Sequence, residues 1–318
     1  MPTARAAIAD ARVGLNAVII SVDGTTPRLL TVEARSGHAR GEALPSGHLD
    51  DRADRTLEKS VRRMVSTQLG LPVRYFEQLY TFGDRDRAPA GRELAVAYLA
   101  LAPYQLVQGP GKPRWRSCYE LFPWEDWRQG RPQVLNRLIV PALEAWLVGL
   151  GRDGLAARSE RAELTFGLEH ARWDPVRVLD RYELLFELGL VGEASPKHGK
   201  QAAQDPGLGQ PLALDHRRIA AAALERLRGK LAYRPVVFEV LPESFTLSRL
   251  QQVVEAFAGR ALHKQNFRRL VASANLVEPV GGADRTTGGR PAKLYRFRRE
   301  VLLERPAPGL GLRRLGGP

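Results

Sequence analysis

At 318 residues the chain is long enough for two domains of roughly 100–200 residues each, and with 44% hydrophobic and 26% charged residues it is not a disordered polymer. Apolar runs such as 94–103 reach about half of the ~20 residues that a membrane span needs, the N-terminus carries no apolar core of signal-peptide type, and a single cysteine, Cys118, excludes a disulfide framework and a Cys-based zinc cluster. Net charge is +13, and residues 201–318 hold 20 Lys and Arg against 10 Asp and Glu, so most of the excess lies in the last third and points to a polyanionic partner, nucleic acid first.

Residues 13–21 read as a strand, followed by a turn at Asp23-Gly24 and a second strand over 27–33. Leu57, Val61, Val65 and Leu69 recur every four residues, which predicts a helix over 55–69 stopped by Gly70. Strands are expected at 76–82, 93–102 and 114–122. A helix over 134–147 is expected to kink at Pro141. Strands mixed with helices over the first 150 residues make an α/β or α+β layered domain. Asp174-Pro175 then reads as an N-cap and first-turn pair opening a helix with Leu179, Tyr182, Phe186 and Leu190 as its stripe. Residues 194–212, rich in Gly and Pro, read as a linker.

A compact helical set follows. Ile219, Ala223, Leu227 and Leu231 mark one helix. Thr246 or Ser248 caps a second, buried through Leu247, Leu250, Val254 and Phe257 and ended by Gly259. A third runs from about His263 to Asn275, and strands at 277–280 and 292–297 flank a Gly-, Thr- and Arg-rich loop. Three helices, a strand, a loop and a strand are the order of a winged helix-turn-helix. The expected α+β chain thus divides into a layered domain over 1–155, a helical connector and linker over 156–212, a winged helix over 213–300 and a tail over 301–318, disordered from about Pro306.

The third helix places Phe267, Leu270, Val271 and Ala274 on one face and Lys264, Gln265, Asn266, Arg268 and Arg269 on the other. A major-groove helix needs this division: apolar residues dock it, cations hold phosphates, and Gln or Arg reads base edges. Thr246, Ser248 and Arg249 at the start of the second helix, and Arg285, Thr286, Thr287, Arg290 and Lys293 in the wing, complete the candidate interface with double-stranded DNA. Protein–protein contact is the lesser use of such a module. Among the six histidines no zinc spacing occurs, no P-loop or nucleophile elbow is present, and Cys118 between aromatic residues reads as buried and inert.

Residues 43–71 resemble the strand–loop–helix segment of a Nudix domain, whose box runs G-x5-E-x7-R-E-U-x-E-E-x-G-U with U aliphatic. Arg63, Val65, Gly70 and Leu71 match its end, while Met64, Thr67 and Gln68 stand where the glutamates should be, and the spacing from Gly47 to Arg63 is two residues too long. Those glutamates hold magnesium or manganese, which want carboxylate oxygens. With a thioether and two neutral side chains in their place, the metal site is lost, and the chemistry with it. Tyr80-Thr-Phe-Gly-Asp84, Glu93–Leu101, Leu224–Arg228, Asn266–Arg269 and Gly288–Phe297 extend the resemblance to Nudix-related transcriptional regulators of NAD metabolism, the NrtR and NadQ groups. The eroded box and the insert at 155–212 look more like NadQ.

The resemblance implies an N-terminal Nudix-like α/β/α sandwich and a C-terminal winged helix. It further implies a homodimeric cytoplasmic repressor of NAD biosynthesis genes, with no catalytic residue, no metal and no required cofactor. Its effector would be an adenine nucleotide: ATP, NAD or ADP-ribose. A pocket for that effector needs cations and an aromatic slot. Arg35, Arg40 and Arg92 are the candidate cations and Tyr80 and Phe82 the candidate walls, although alternation along 76–82 reads Phe82 equally as core, and Tyr98 reads as core. The competing reading is a Nudix pyrophosphatase with a non-standard metal site, for which Glu42, Asp50, Asp51 and Glu58 offer carboxylates.

Overall fold

The computed structural model describes residues 12–34, 41–50, 52–84, 87, 93–149, 151–193, 205–284 and 291–310. Strands β1 (Arg12–Asp23) and β2 (Thr26–Glu33) form a hairpin, followed by the short strands β3 (Glu42–Ala43) and β4 (Ser46–His48). Helix α1 (Leu57–Leu69) is capped by Thr56, whose side chain accepts from the Lys59 N–H, and is stopped by Gly70 at φ 59°. Strands β5 (Tyr75–Phe82), β6 (Glu93–Leu101) and β7 (Arg114–Ser117) complete a seven-stranded sheet with the central order β3-β2-β1-β6-β5. β1 and β6 are parallel, and the other pairs are antiparallel.

Two-residue alternation sorts this sheet's side chains between two cores. Leu15, Ala17 and Ile19 of β1 face α1 and meet Val61, Met64, Val65 and Leu69. Val18, Ile20 and Val22 face the other way, into a larger core that includes Leu99, Leu101 and much of the C-terminal half.

The strand expected over 114–122 ends at Ser117, whose hydroxyl caps α2 (Cys118–Leu121) by accepting from the Tyr119 N–H. Over 134–147 the irregularity falls upstream of Pro141: residues 135–139 form a π-type turn, and Pro141 sits in the first turn of α3 (Val140–Leu147), where its missing N–H costs nothing. Helix α4 (Arg152–Phe166) carries no expectation from the sequence because its apolar residues do not gather on one face. Asp174 is not a helix cap. It closes a turn by accepting from the Val176 N–H, and α5 (Val178–Glu187) starts four residues later. Its buried face is Val178, Arg181, Tyr182, Leu184 and Leu185, while Phe186 of the expected stripe is exposed. The described end of the expected linker, 205–212, is docked, with Leu208 and Leu212 buried.

Helix α6 (His216–Lys230) follows, buried on nearly all sides through Ile219–Leu224 and Leu227. Strand β8 (Phe245–Thr246) leads into α7 (Leu247–Ala258), with Thr246 as its cap and Gly259 ending it at φ 70°. Then come α8 (Lys264–Ala274), β9 (Val277–Asp284), β10 (Ala292–Phe297) and α9 (Val301–Glu304). β8, β10 and β9 form a small antiparallel sheet in that order. The expected tail is ordered as far as Leu310: that side chain is buried, and Arg305 donates to the Ala274 carbonyl at the end of α8.

Helix α6 packs on β1, β5 and β6 of the large sheet and on α5 and α7. It therefore covers the face of the sheet opposite α1, and one hydrophobic core runs through both halves. At its centre Glu125 is fully buried between two arginines. Arg181 of α5 grips its carboxylate at 2.5 and 3.0 Å, and Arg228 of α6 binds the same carboxylate while donating to the Phe257 carbonyl at 2.9 Å.

Candidate nucleotide cavity and DNA-facing helix

The box segment borders a cavity of about 380 Å3, within the range of small-molecule sites. Its floor is β1 (Gly14, Leu15, Asn16). One wall is Val32–Ala34 with Ala43, and another is Ser46, Gly47 and His48 with Gln68 from α1. Glu93 of β6 and Ala213, Leu214 and His216 close the remaining side. The three substituted box positions have distinct fates. Met64 is buried in the α1 core against Gly47, Thr67 is exposed, and Gln68 donates from Nε2 to the Ser46 carbonyl at 3.1 Å. Arg63 pairs with Asp54 at 2.5 Å, and its hydrogen bond holds that carboxyl below the ordinary range. Among the described residues no group of three or more His, Cys, Asp or Glu is placed to hold a metal ion.

The cavity does not recruit the expected aromatic slot. Phe82 is core: a bulge in β5 between Gln78 and Thr81 breaks the alternation, so Leu79 and Phe82 both enter the larger core, with Arg218 over the Phe82 ring. Tyr80 points to the surface beneath Arg226, 5.4 Å from its ring. Tyr98 is core, as its place in a buried strand requires. Arg35, Arg40 and Arg92 lie outside the described residues, as does Asp51, although Ala34 and Glu93, their immediate neighbours in two cases, line the cavity. Glu42, Asp50 and Glu58 do not line it; Glu42 instead pairs with Arg116 at 3.4 Å.

Sequence reasoning missed His216, Asn16 and Glu93. The His216 ring accepts at Nδ1 from the Leu44 N–H (2.9 Å), and its Nε2 lies 3.2 Å from the Asn16 carboxamide. With Nδ1 accepting, the neutral ring carries its proton on Nε2. Burial pushes the imidazole pKa down to about 4. Beside it, Arg87 bridges Asp215 (2.7 and 2.9 Å) and Glu93 (2.9 Å). No sequence signal joins residues 16 and 216. Only the packing of α6 on the sheet brings them together.

A larger cavity of about 550 Å3 lies between Arg172–Val176 and the ends of α6 and α7. Arg172 and Arg260 line it with Arg228, which is committed to Glu125, but no residue of the box segment does; the smaller cavity, which the box segment borders, is the candidate nucleotide site.

In the C-terminal unit, Phe267 and Val271 bury one face of α8, with Leu270 and Ala274 partly covered. Lys264, Gln265, Asn266, Arg268 and Arg269 are all exposed on the other, and Arg269 donates to the Asn266 side chain. Ser248 and Lys293 are also exposed. Thr246 is occupied as the α7 cap. Arg249 departs from the expected phosphate role: it turns inward and donates to the carbonyls of Gly24 and Val22 in the β1–β2 hairpin, and burial lowers its pKa. Arg285, Thr286, Thr287 and Arg290 lie outside the described residues, while β9 runs to Asp284, further than the strand expected at 277–280.

Residues 237–297 match the NrtR DNA-binding winged helix domain. Over 281 residues the chain is 23% identical to the ADPR responsive transcriptional repressor NtrR of Acinetobacter baylyi, covering 88% of this chain and 79% of that protein. The fold is similar to that of Shewanella oneidensis NrtR in complex with a 27mer DNA (TM-score 0.57, 23% identity, 91% of this chain and 94% of that one). It is similar also to a MutT/nudix family protein from Enterococcus faecalis (TM-score 0.54, 18% identity, 94% and 89%). In fold the chain is a Nudix-like α+β domain joined to a winged helix, which over residues 237–297 matches the NrtR DNA-binding type.

Proposed function

We propose that this protein is a homodimeric transcriptional repressor of NAD biosynthesis genes, relieved or reinforced by an adenine nucleotide bound in the 380 Å3 cavity, with ADP-ribose the first candidate effector. The carrying observation is the pairing of two features in one chain. A recognition-type helix presents Lys264, Gln265, Asn266, Arg268 and Arg269 to solvent, and a box-bordered cavity has an amide, Gln68, tied to backbone where a metal-binding carboxylate would stand. The first is built to grip DNA. The second keeps the position of a nucleotide site while lacking the oxygens that would cage a hard cation. The relative in Acinetobacter baylyi, named for its response to ADPR, supports the choice of effector. Two copies of α8 would read the two halves of a palindromic site.

The test is fluorescence anisotropy at physiological salt on DNA from upstream of NAD biosynthesis genes, titrated with ADP-ribose, NAD and ATP in turn. Sequence-specific binding altered by one of them is the expected result. Binding that ignores sequence, or hydrolysis of ADP-ribose with magnesium that is abolished by Glu58→Gln, would overturn it and restore the hydrolase reading.

A further inference from the structure

The nucleotide cavity is not confined to the Nudix-related half. Its far wall is Ala213, Leu214 and His216, the residues that open α6. This stretch is fastened to the cavity at three points: the Ala213 N–H donates to the Glu42 carbonyl at 2.8 Å, His216 engages Asn16 and the Leu44 N–H, and Arg87 ties Asp215 to Glu93. Two of these ties use side chains that themselves line the cavity, Asn16 and Glu93. A carboxamide and a carboxylate are the groups that accept ribose hydroxyls and base amines. A ligand that takes up Asn16 or Glu93 therefore competes with the bonds that hold the start of α6.

What α6 does with a displacement follows from its burial. Its 15 residues span about 22 Å at 1.5 Å per residue. Ala220–Ala223 are packed with no side chain long enough to absorb a shift by changing rotamer. At the far end Arg228 donates to the Phe257 carbonyl, two residues before Gly259 ends α7 and the chain turns into α8.

Resting on the repressor reading above, we propose that the Asp215–His216 start of α6 is the ligand-sensing element. The ligand reaches DNA affinity by exchanging the Asn16–His216 and Glu93–Arg87–Asp215 ties for its own hydroxyls, and α6 carries the change to α7 and α8 as a rigid rod. Coupling of this kind is a ratio of affinities, equal from either side.

The experiment measures that ratio on the full-length protein: the Kd of ADP-ribose by calorimetry with and without an operator fragment selected from random DNA. Asp215→Asn removes the charge from one tie at a residue outside the cavity lining, and His216→Gln removes the imidazole. Thermal melting identifies a variant that fails to fold, and the other then decides. Wild-type protein is expected to show a ratio of about 5-fold or more. Asp215→Asn should lower the ADP-ribose Kd of the free protein, because the ligand no longer breaks a full-strength tie, while its ratio collapses toward one, and His216→Gln should lower the ratio likewise. A wild-type ratio preserved in the folded variants overturns the sensing role alone. A wild-type protein that binds ADP-ribose with a ratio of one also overturns it. A wild-type protein that binds none of ADP-ribose, NAD and ATP fells the repressor reading and this inference together.

Discussion

His216 shows how far burial can move a single group. Its ring is enclosed at the start of α6 and its pKa is pushed down to about 4 from the ordinary 6.5. The unfolded chain therefore binds the proton first as pH falls. Its contribution is complete above about pH 6.5 and is lost as pH drops toward 4. At roughly 1.4 kcal/mol per unit that is about 3 kcal/mol. The urea midpoint should fall between pH 6.5 and 4.5 in the wild type and fall less steeply in His216→Gln. At this scale the sequence was only partly legible. Gly70, Thr246 and Gly259 could be placed as caps and stops because capping depends on neighbours three or four residues away. Arg249 and His216 could not, because their partners, Val22 and Asn16, are 227 and 200 residues distant.

Helices and strands that touch one layer of neighbours followed their periodicity, and those placed by buried charge did not. α1 and α8 each turn one apolar stripe inward, so their sequences announce them. α4 has no such stripe, and the inward face of α5 is centred on Arg181, a residue that no hydrophobic pattern would assign to a core. The reason is Glu125, which needs Arg181 and Arg228 around it once it leaves water. Glu125→Ala should strand two guanidinium groups and cost about 3–5 kcal/mol, read as a lowered denaturant midpoint with unchanged slope. Glu125→Gln, which keeps acceptor oxygen but not charge, should also destabilise, by less.

For the molecule as a whole, the basic excess predicted from composition gains an address. Arg268 is free on the surface of α8, whereas Arg249 is spent inside the protein on the β1–β2 hairpin. Arg268→Ala should weaken DNA binding and reduce the slope of log affinity against log salt by about one, with ADP-ribose affinity unchanged. Arg249→Ala should leave that slope as it is. Equal loss of slope in both would contradict the inward placement of Arg249. Composition could say that DNA is met by the C-terminal third. Only the packed structure separates the arginines that face outward from those that hold the halves together.

Because α6 roofs the large sheet, the order of synthesis and the order of assembly disagree. All strands of that sheet have left the ribosome by Ser117, yet the apolar face formed by Val18, Ile20, Leu99 and Leu101 waits for residues 216–230, and Glu125 waits for Arg181 and Arg228. The domain made first cannot be finished until the domain made last arrives. During that interval the nascent chain carries an open hydrophobic sheet, the kind of surface that chaperones shield. The same dependence makes the large sheet and the C-terminal helices parts of one folding unit.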